Sequence, residues 1–284
     1  MITPASMRRT IAVALVAAAA ALAACAVGPQ ADGAPRSEAG AGLAQVVGGA
    51  HRSAANKARD THRHPLETLA FFGIEPHSTV VELWPFGGWY TEILAPYLRD
   101  QGVYYAAAMD PQSASPQELR YNESLNALLA TRTDLYSRVR ISVLAKNKMD
   151  IAPPQSADFI LSFRNIHNWV WAGMEKDVFA AAYRALKPGG VLGIVEHRSN
   201  DPDFEPRVPG QAYVGEEYAV RLIESAGFKL VARSGINNNP RDTKDHPKGV
   251  WTLPPSYALG DVDRERYTAI GESDRFTLKF VKPK

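Results

Sequence analysis

Residues 80–90 read Val80-Val81-Glu82-Leu83-Trp84-Pro85-Phe86-Gly87-Gly88-Trp89-Tyr90. Val80, Val81 and Leu83 make the aliphatic run of a buried strand, and an acid sits near its end. Gly87-Gly88 then turn the chain, and Tyr90 begins a helical pattern. In a doubly wound sheet, ligands bind at the carboxyl ends of the strands, where the strand order reverses. A nucleotide-like ligand needs there a loop that its phosphates or sugar can approach closely, followed by a helix N-terminus.

Outward from this loop, apolar runs alternate with amphipathic ones. Strands are expected at 79–84, 102–109, 139–144, 157–163, 191–196, 228–233 and 276–281. Helices are expected at 90–99, 117–130, 174–186 and 216–226. A further helical pattern covers 53–72, interrupted by Pro65 and ended by Gly73. Near-continuous apolar strands alternating with helices predict an α/β fold with a mostly parallel sheet covered on both faces. The segment from Asn237 to Pro255 is long for a connection between two late strands and reads either as a lid or substrate wall or as a surface excursion.

Composition narrows the function. The 284 residues are 45% hydrophobic and 22% charged, which excludes a disordered chain. Lys and Arg number 32 against 30 Asp and Glu, a formal net charge of +2, so no basic face for nucleic acid is expected. The single cysteine, Cys25, excludes an internal disulfide framework and a multi-cysteine zinc site. Arg8 and Arg9 precede an uncharged Ala/Val/Leu run that ends in Leu22-Ala23-Ala24-Cys25. This resembles the lipobox of bacterial lipoproteins, in which the cysteine is freed and acylated. It implies a signal peptide over 1–24 and a cell-envelope protein anchored by lipid at Cys25, facing the periplasm. Residues 25–52, rich in Ala, Gly and small polar residues, are expected to be a flexible tether, and 53–284 the folded domain.

The loop at 82–90 resembles motif I of the class I S-adenosylmethionine-dependent methyltransferases, whose usual form is acid-x-Gly-x-Gly-x-Gly. More narrowly, it is similar to predicted methyltransferases with a Trp-Pro-x-Gly-Gly-Trp-Tyr variant. Asp110, closing the second strand, matches the family acid that accepts hydrogen bonds from the ribose hydroxyls. Residues 157–162 resemble the fourth-strand motif, and Leu186-Lys187-Pro188-Gly189-Gly190 the turn into the fifth strand. The likeness covers about 67–282. It implies a Rossmann-like, doubly wound sheet of seven strands, mostly parallel, with residues 276–281 as the late antiparallel strand. It also implies S-adenosylmethionine as cofactor, bound by Glu82, Trp84, Phe86, Gly87, Gly88, Tyr90, Asp110, Phe163 and Arg164. The sequence departs from the family where Trp84 and Phe86 replace the first two glycines. These rings either wall the methionine portion, with a cation–π contribution of order 1 kcal/mol, or fill the pocket.

Residues after the fourth strand face the transferred methyl group in this family. Here Asn165 and Asn168 are candidates for orienting an acceptor, and His167 for abstracting its proton near neutrality. Trp169 and Trp171 are candidates for stacking on a flat substrate. His197 or Arg198 offers a site for an anionic substrate group, and Arg275 is placed to cross toward it. No metal is expected: His62 and His64 are two apart and face different ways on a helix, while His51, His77 and His246 lack partners at ligand spacing. The expected function is methyl transfer to a small molecule or envelope component. The alternative is a non-catalytic, ligand-binding envelope lipoprotein on a degenerate methyltransferase fold.

Overall fold

In β1 (Thr79–Leu83), Val80 packs with Leu69, Phe72, Ile93 and Leu94 on one face of the sheet. Val81 and Leu83 pack with Ile160, Trp169 and Phe179 on the other. A strand with two buried faces needs apolar residues at consecutive positions, which explains the unbroken run that marks it in the sequence. The computed structural model describes residues 38–284. The expected signal peptide, the expected lipid-anchor Cys25 and the first part of the expected tether lie outside the described residues.

The remaining strands are β2 (Val103–Ala108), β3 (Arg140–Ala145), β4 (Lys148–Asp150), β5 (Ala157–Phe163), β6 (Leu186–His197), β7 (Lys229–Ser234) and β8 (Arg275–Val281). They form one sheet in the order β4-β3-β2-β1-β5-β6-β8-β7. β1 pairs parallel with β2 and β5, β2 with β3, and β5 with β6. β8 runs antiparallel between β6 and β7, as the late strand was expected to do. The sheet has eight strands rather than seven. The addition is β4, a three-residue antiparallel return on β3 that is too short to leave a period-2 signature.

Helices α1 (Glu38–Val47), α2 (Ala54–Lys57), α3 (Asp60–Arg63) and α4 (Pro65–Phe72) precede β1. They are followed by α5 (Thr91–Leu98), α6 (Pro116–Thr131), α7 (Thr133–Tyr136), α8 (Ile166–Ala172), α9 (Glu175–Ala185), α10 (Glu216–Ser225) and α11 (Arg264–Ile270). Leu43 of α1, Leu69 of α4, Leu94 of α5 and Leu125 of α6 cover one face of the sheet. Trp169 of α8, Phe179 of α9 and Ile223 of α10 cover the other.

Two boundaries differ from expectation. The ordered domain begins before residue 53: α1 lies inside the expected tether, and its Leu43 is 1% exposed. Burying one leucine stabilises by roughly 1.5–3 kcal/mol, enough to hold a small-residue helix that composition alone would leave loose. The pattern at 53–72 divides into α2, α3 and α4, with His64 in the left-handed region (φ 41°) where Pro65 starts a new helix.

Candidate active site

A cavity of ≈ 660 Å³ opens where the ends of the parallel strands meet the N-terminal end of β8. Trp84 and Phe86 after β1, Met109 after β2, Arg164 after β5 and His197 at the end of β6 all line it. The wall is completed by Ser115, Gln117 and Tyr121 at the start of α6, and by Trp251 of the 235–274 connection.

The loop after β1 has the backbone of a ligand loop with bulky side chains on it. Trp84 and Phe86 both adopt φ 49°. They stand in the left-handed conformation at the two positions where the family motif carries glycine, at a strain of about 1–3 kcal/mol each. Contacts hold them there. The Trp84 indole N–H donates to the Leu144 carbonyl at the end of β3 (2.7 Å), and its ring lies 5.9 Å from Trp169. Phe86 meets Tyr121 edge-on at 4.7 Å. Together they close the hollow beneath α6 to a residual ≈ 10 Å³, so open space begins on the cavity side of these rings.

The other expected cofactor contacts divide. Phe163 and Arg164 line the cavity. Tyr90 does not: its buried ring stacks behind Phe163 at 3.5 Å. Glu82 is also behind the wall. Its carboxylate accepts from the Tyr104 hydroxyl (2.5 Å) and faces Thr91 Oγ1 (3.3 Å) in the core under α5. Burial pushes Glu82 up to about 7, against the lowering effect of these hydrogen bonds. Gly87 is exposed, with open space where a Cβ would project. Gly88 serves packing: its φ is 81°, and a Cβ there would lie 2.3 Å from Leu128. Asp110 sits beside the wall residue Met109, but Lys148 of β4 takes its carboxylate at 2.6 Å. That contact, with the Gln112 backbone N–H, lowers the Asp110 pKa.

Among the expected catalytic residues, His167 and Asn168 line the cavity and Asn165 does not. Asn165 is 1% exposed and ties β5 to β1 by donating to the Leu83 carbonyl (2.9 Å). Trp169 is likewise core, whereas Trp171 forms part of the wall. His167 has a partner that the sequence did not assign, Glu196. This fully buried carboxylate accepts from the backbone N–H groups of Ile166 (2.6 Å) and His197 (2.8 Å), and lies 3.1 Å from His167 Nδ1. A carboxylate so placed fixes Nδ1 as the protonated ring nitrogen and leaves Nε2 as the acceptor. It also caps the N-terminus of α8, which has no side-chain cap of its own.

His197 completes the group. Its Nδ1 meets Ser273 Oγ at 2.6 Å, and burial, reinforced by His167, Arg275 and Arg164, holds it well below its ordinary pKa. It is therefore neutral at pH 7. His167, Glu196 and His197 offer three ligand atoms within 4.8 Å of one another, a constellation absent from the sequence reading, which expected no metal. The surroundings disfavour a cation there, because Glu196 already accepts two backbone bonds and the arginines nearby repel positive charge. The geometry is that of an acid–base pair.

Four arginines stand on the same wall. Arg59 and Arg63, missed in the sequence, come from the turn of helix before α4, and Arg275 does cross from the start of β8. Their i, i+4 spacing put Arg59 and Arg63 on one helix face, which was the available signal. Glu272 binds Arg59 Nε (2.6 Å), Arg63 Nε (3.0 Å) and Arg275 Nη2. Burial alone would raise the Glu272 carboxyl, but the charges of Arg275, Arg63 and Arg59 overcome it and hold it well below the usual carboxylate range. Arg198 turns away to Glu216 and Asp274.

No protein-family profile matches the chain, and no curated protein does. Solved structures do. A SAM dependent methyltransferase from Aquifex aeolicus superposes with a TM-score of 0.52 at 15% identity, covering 79% of this chain and 93% of that one. A putative sarcosine dimethylglycine methyltransferase from Galdieria sulphuraria gives 0.51 at 16% identity, covering 81% and 86%. At such identities the likeness is one of fold. The chain has the Rossmann-like fold of class I methyltransferases, with an added edge strand.

Proposed function

We propose that the chain is an S-adenosylmethionine-dependent methyltransferase whose acceptor is deprotonated by His167. The observation that carries this is the Glu196–His167 pair, buried on one side and open to the cavity on the other, beside the left-handed loop after β1. The cavity's volume and walls fit the cofactor. Trp84, Phe86, Met109 and Tyr121 offer an apolar cleft for adenine, and Phe163 an aromatic face for the sulfonium end. Asp110 reaches a ribose only by giving up Lys148, which is 47% exposed and readily exchanged for another donor.

When bound, the cofactor supplies an electrophilic methyl group. The chain's own part is to orient and deprotonate the acceptor. Asn168 and Trp171 would hold it against the wall, and His167 Nε2 would take its proton. Glu196, hydrogen-bonded to Nδ1, stabilises the imidazolium so formed.

Calorimetry of the full chain with S-adenosylmethionine and S-adenosylhomocysteine tests the reading. Saturable binding is expected, and none at concentrations on the order of 1 mM overturns it. With methyl-labelled cofactor and a small-molecule extract, His167→Ala is expected to lower label transfer by about 100-fold or more while S-adenosylhomocysteine still binds. Export and anchoring are proposed from the basic Arg8-Arg9, the uncharged run after it and the lipobox-like ending at Cys25: fatty-acid labelling of the expressed chain is expected, and Cys25→Ser is expected to abolish it. No described helix is long and apolar enough to cross a membrane.

A further inference from the structure

The arginine wall has one guanidinium more than its carboxylate can serve. Glu272 answers Arg59, Arg63 and Arg275. The Arg164 guanidinium is left with no hydrogen-bond or ion-pair partner among the described residues, although it lines the cavity. Arg275 Nε is also buried without an acceptor. Burial and the neighbouring Arg275 bring the Arg164 pKa down to about 10, so the group stays charged at pH 7 and carries the cost of its neighbours. The nearby His197 is neutral and offsets nothing. A half-buried guanidinium set among like charges without an acceptor is costly unless an anion meets it. Arg164 also holds a left-handed backbone, φ 65°, a strain that the fold maintains.

The same cavity has an aromatic stretch of wall. The ring of Trp171 lies 5.0 Å from that of His167, and Trp251 lies 5.9 Å from Trp171. Both tryptophans are part-exposed to the cavity.

We propose that the acceptor is a flat, anionic small molecule, whose oxyanion binds Arg164 in the field of Arg63 and Arg275 while its apolar body rests on Trp171 and Trp251. The term acceptor rests on the transferase reading above, but binding of the anion does not. A carboxylate and a phosphate share the required chemistry: planar or tripodal oxygens that a guanidinium fork meets with two parallel hydrogen bonds.

The test titrates the full chain with 2-naphthoate, 2-naphthyl phosphate and the neutral 2-naphthalenemethanol, followed by tryptophan fluorescence. At least one anion is expected to bind about tenfold tighter than the alcohol, and the tighter of the two identifies the oxyanion. Arg164→Gln is expected to abolish that preference without lowering the melting temperature, since it removes an unpaired charge. Arg233→Gln, at an exposed arginine paired with Glu216 and Glu217 away from the cavity, is expected to keep it. Saturating S-adenosylhomocysteine is expected to leave anion binding intact. Equal binding of anion and alcohol, binding of none of the three, or indifference to Arg164→Gln overturns the proposal. Displacement by S-adenosylhomocysteine also overturns it, because Arg164 would then serve the cofactor's own carboxylate. If the cofactor fails to bind while the Arg164-dependent preference persists, the transferase reading falls and the anion site stands.

Discussion

Trp84 and Phe86 show what single residues contribute to the loop after β1. Phe86 combines left-handed strain with contact to Tyr121, so its truncations separate the two effects. Phe86→Ala keeps the strain and loses the ring; Phe86→Gly loses both. Chemical denaturation is expected to find the glycine variant more stable than the alanine variant by about 1 kcal/mol. Alignment with the family motif made the positions legible, because both fall where glycine belongs. The Trp84 bond to Leu144 was not legible, since it joins residues 60 apart across two strands. Glu82 carries the second residue-scale prediction. Its folded pKa of about 7 lies above the unfolded value near 4.5, so between these the native state holds more protons than the unfolded chain. Stability is therefore expected to fall as pH rises through that window, by up to roughly 3 kcal/mol. Glu82→Gln is expected to flatten the dependence in urea titrations at pH 5 and pH 8. An unchanged slope would place the titrating group elsewhere.

At the scale of elements, the two glycines ahead of α5 have different duties. Gly88→Ala drives a Cβ into Leu128 at φ 81°, and is expected to cost about 2–4 kcal/mol in thermal or chemical denaturation. Gly87→Ala, with open space and ordinary φ, is expected to change stability by under about 0.5 kcal/mol. The central strands were legible because each is long, apolar on both faces and bounded by Gly, Pro or Asp. α8 was not. Ile-His-Asn-Trp-Val-Trp-Ala is seven residues with weak helix formers, and its start is capped by Glu196, some 30 positions later in the chain. For the same reason His167 was found as a candidate while its partner went unassigned: the strand-end cluster Glu196-His197-Arg198 gave no hint that one member points into the core.

Across the whole molecule, the folded unit reaches back to α1, which composition had assigned to the tether. Leu43→Ala is expected to lower stability by about 2–4 kcal/mol, whereas a true tether residue would be silent to the same change. The cavity gathers residues from positions 59 to 275, and only tertiary structure brings these loops to one place. Glu272 is the hub of that meeting. Its carboxyl is held far below the unfolded value, so its stabilisation is complete above about pH 4.5 and is surrendered only as pH falls toward the depressed folded value. A vestibule organised around one such anion should ride out mild acidification unaltered. Only in strong acid, once that carboxyl takes its proton, should it spring apart, driven by three cations suddenly left facing one another.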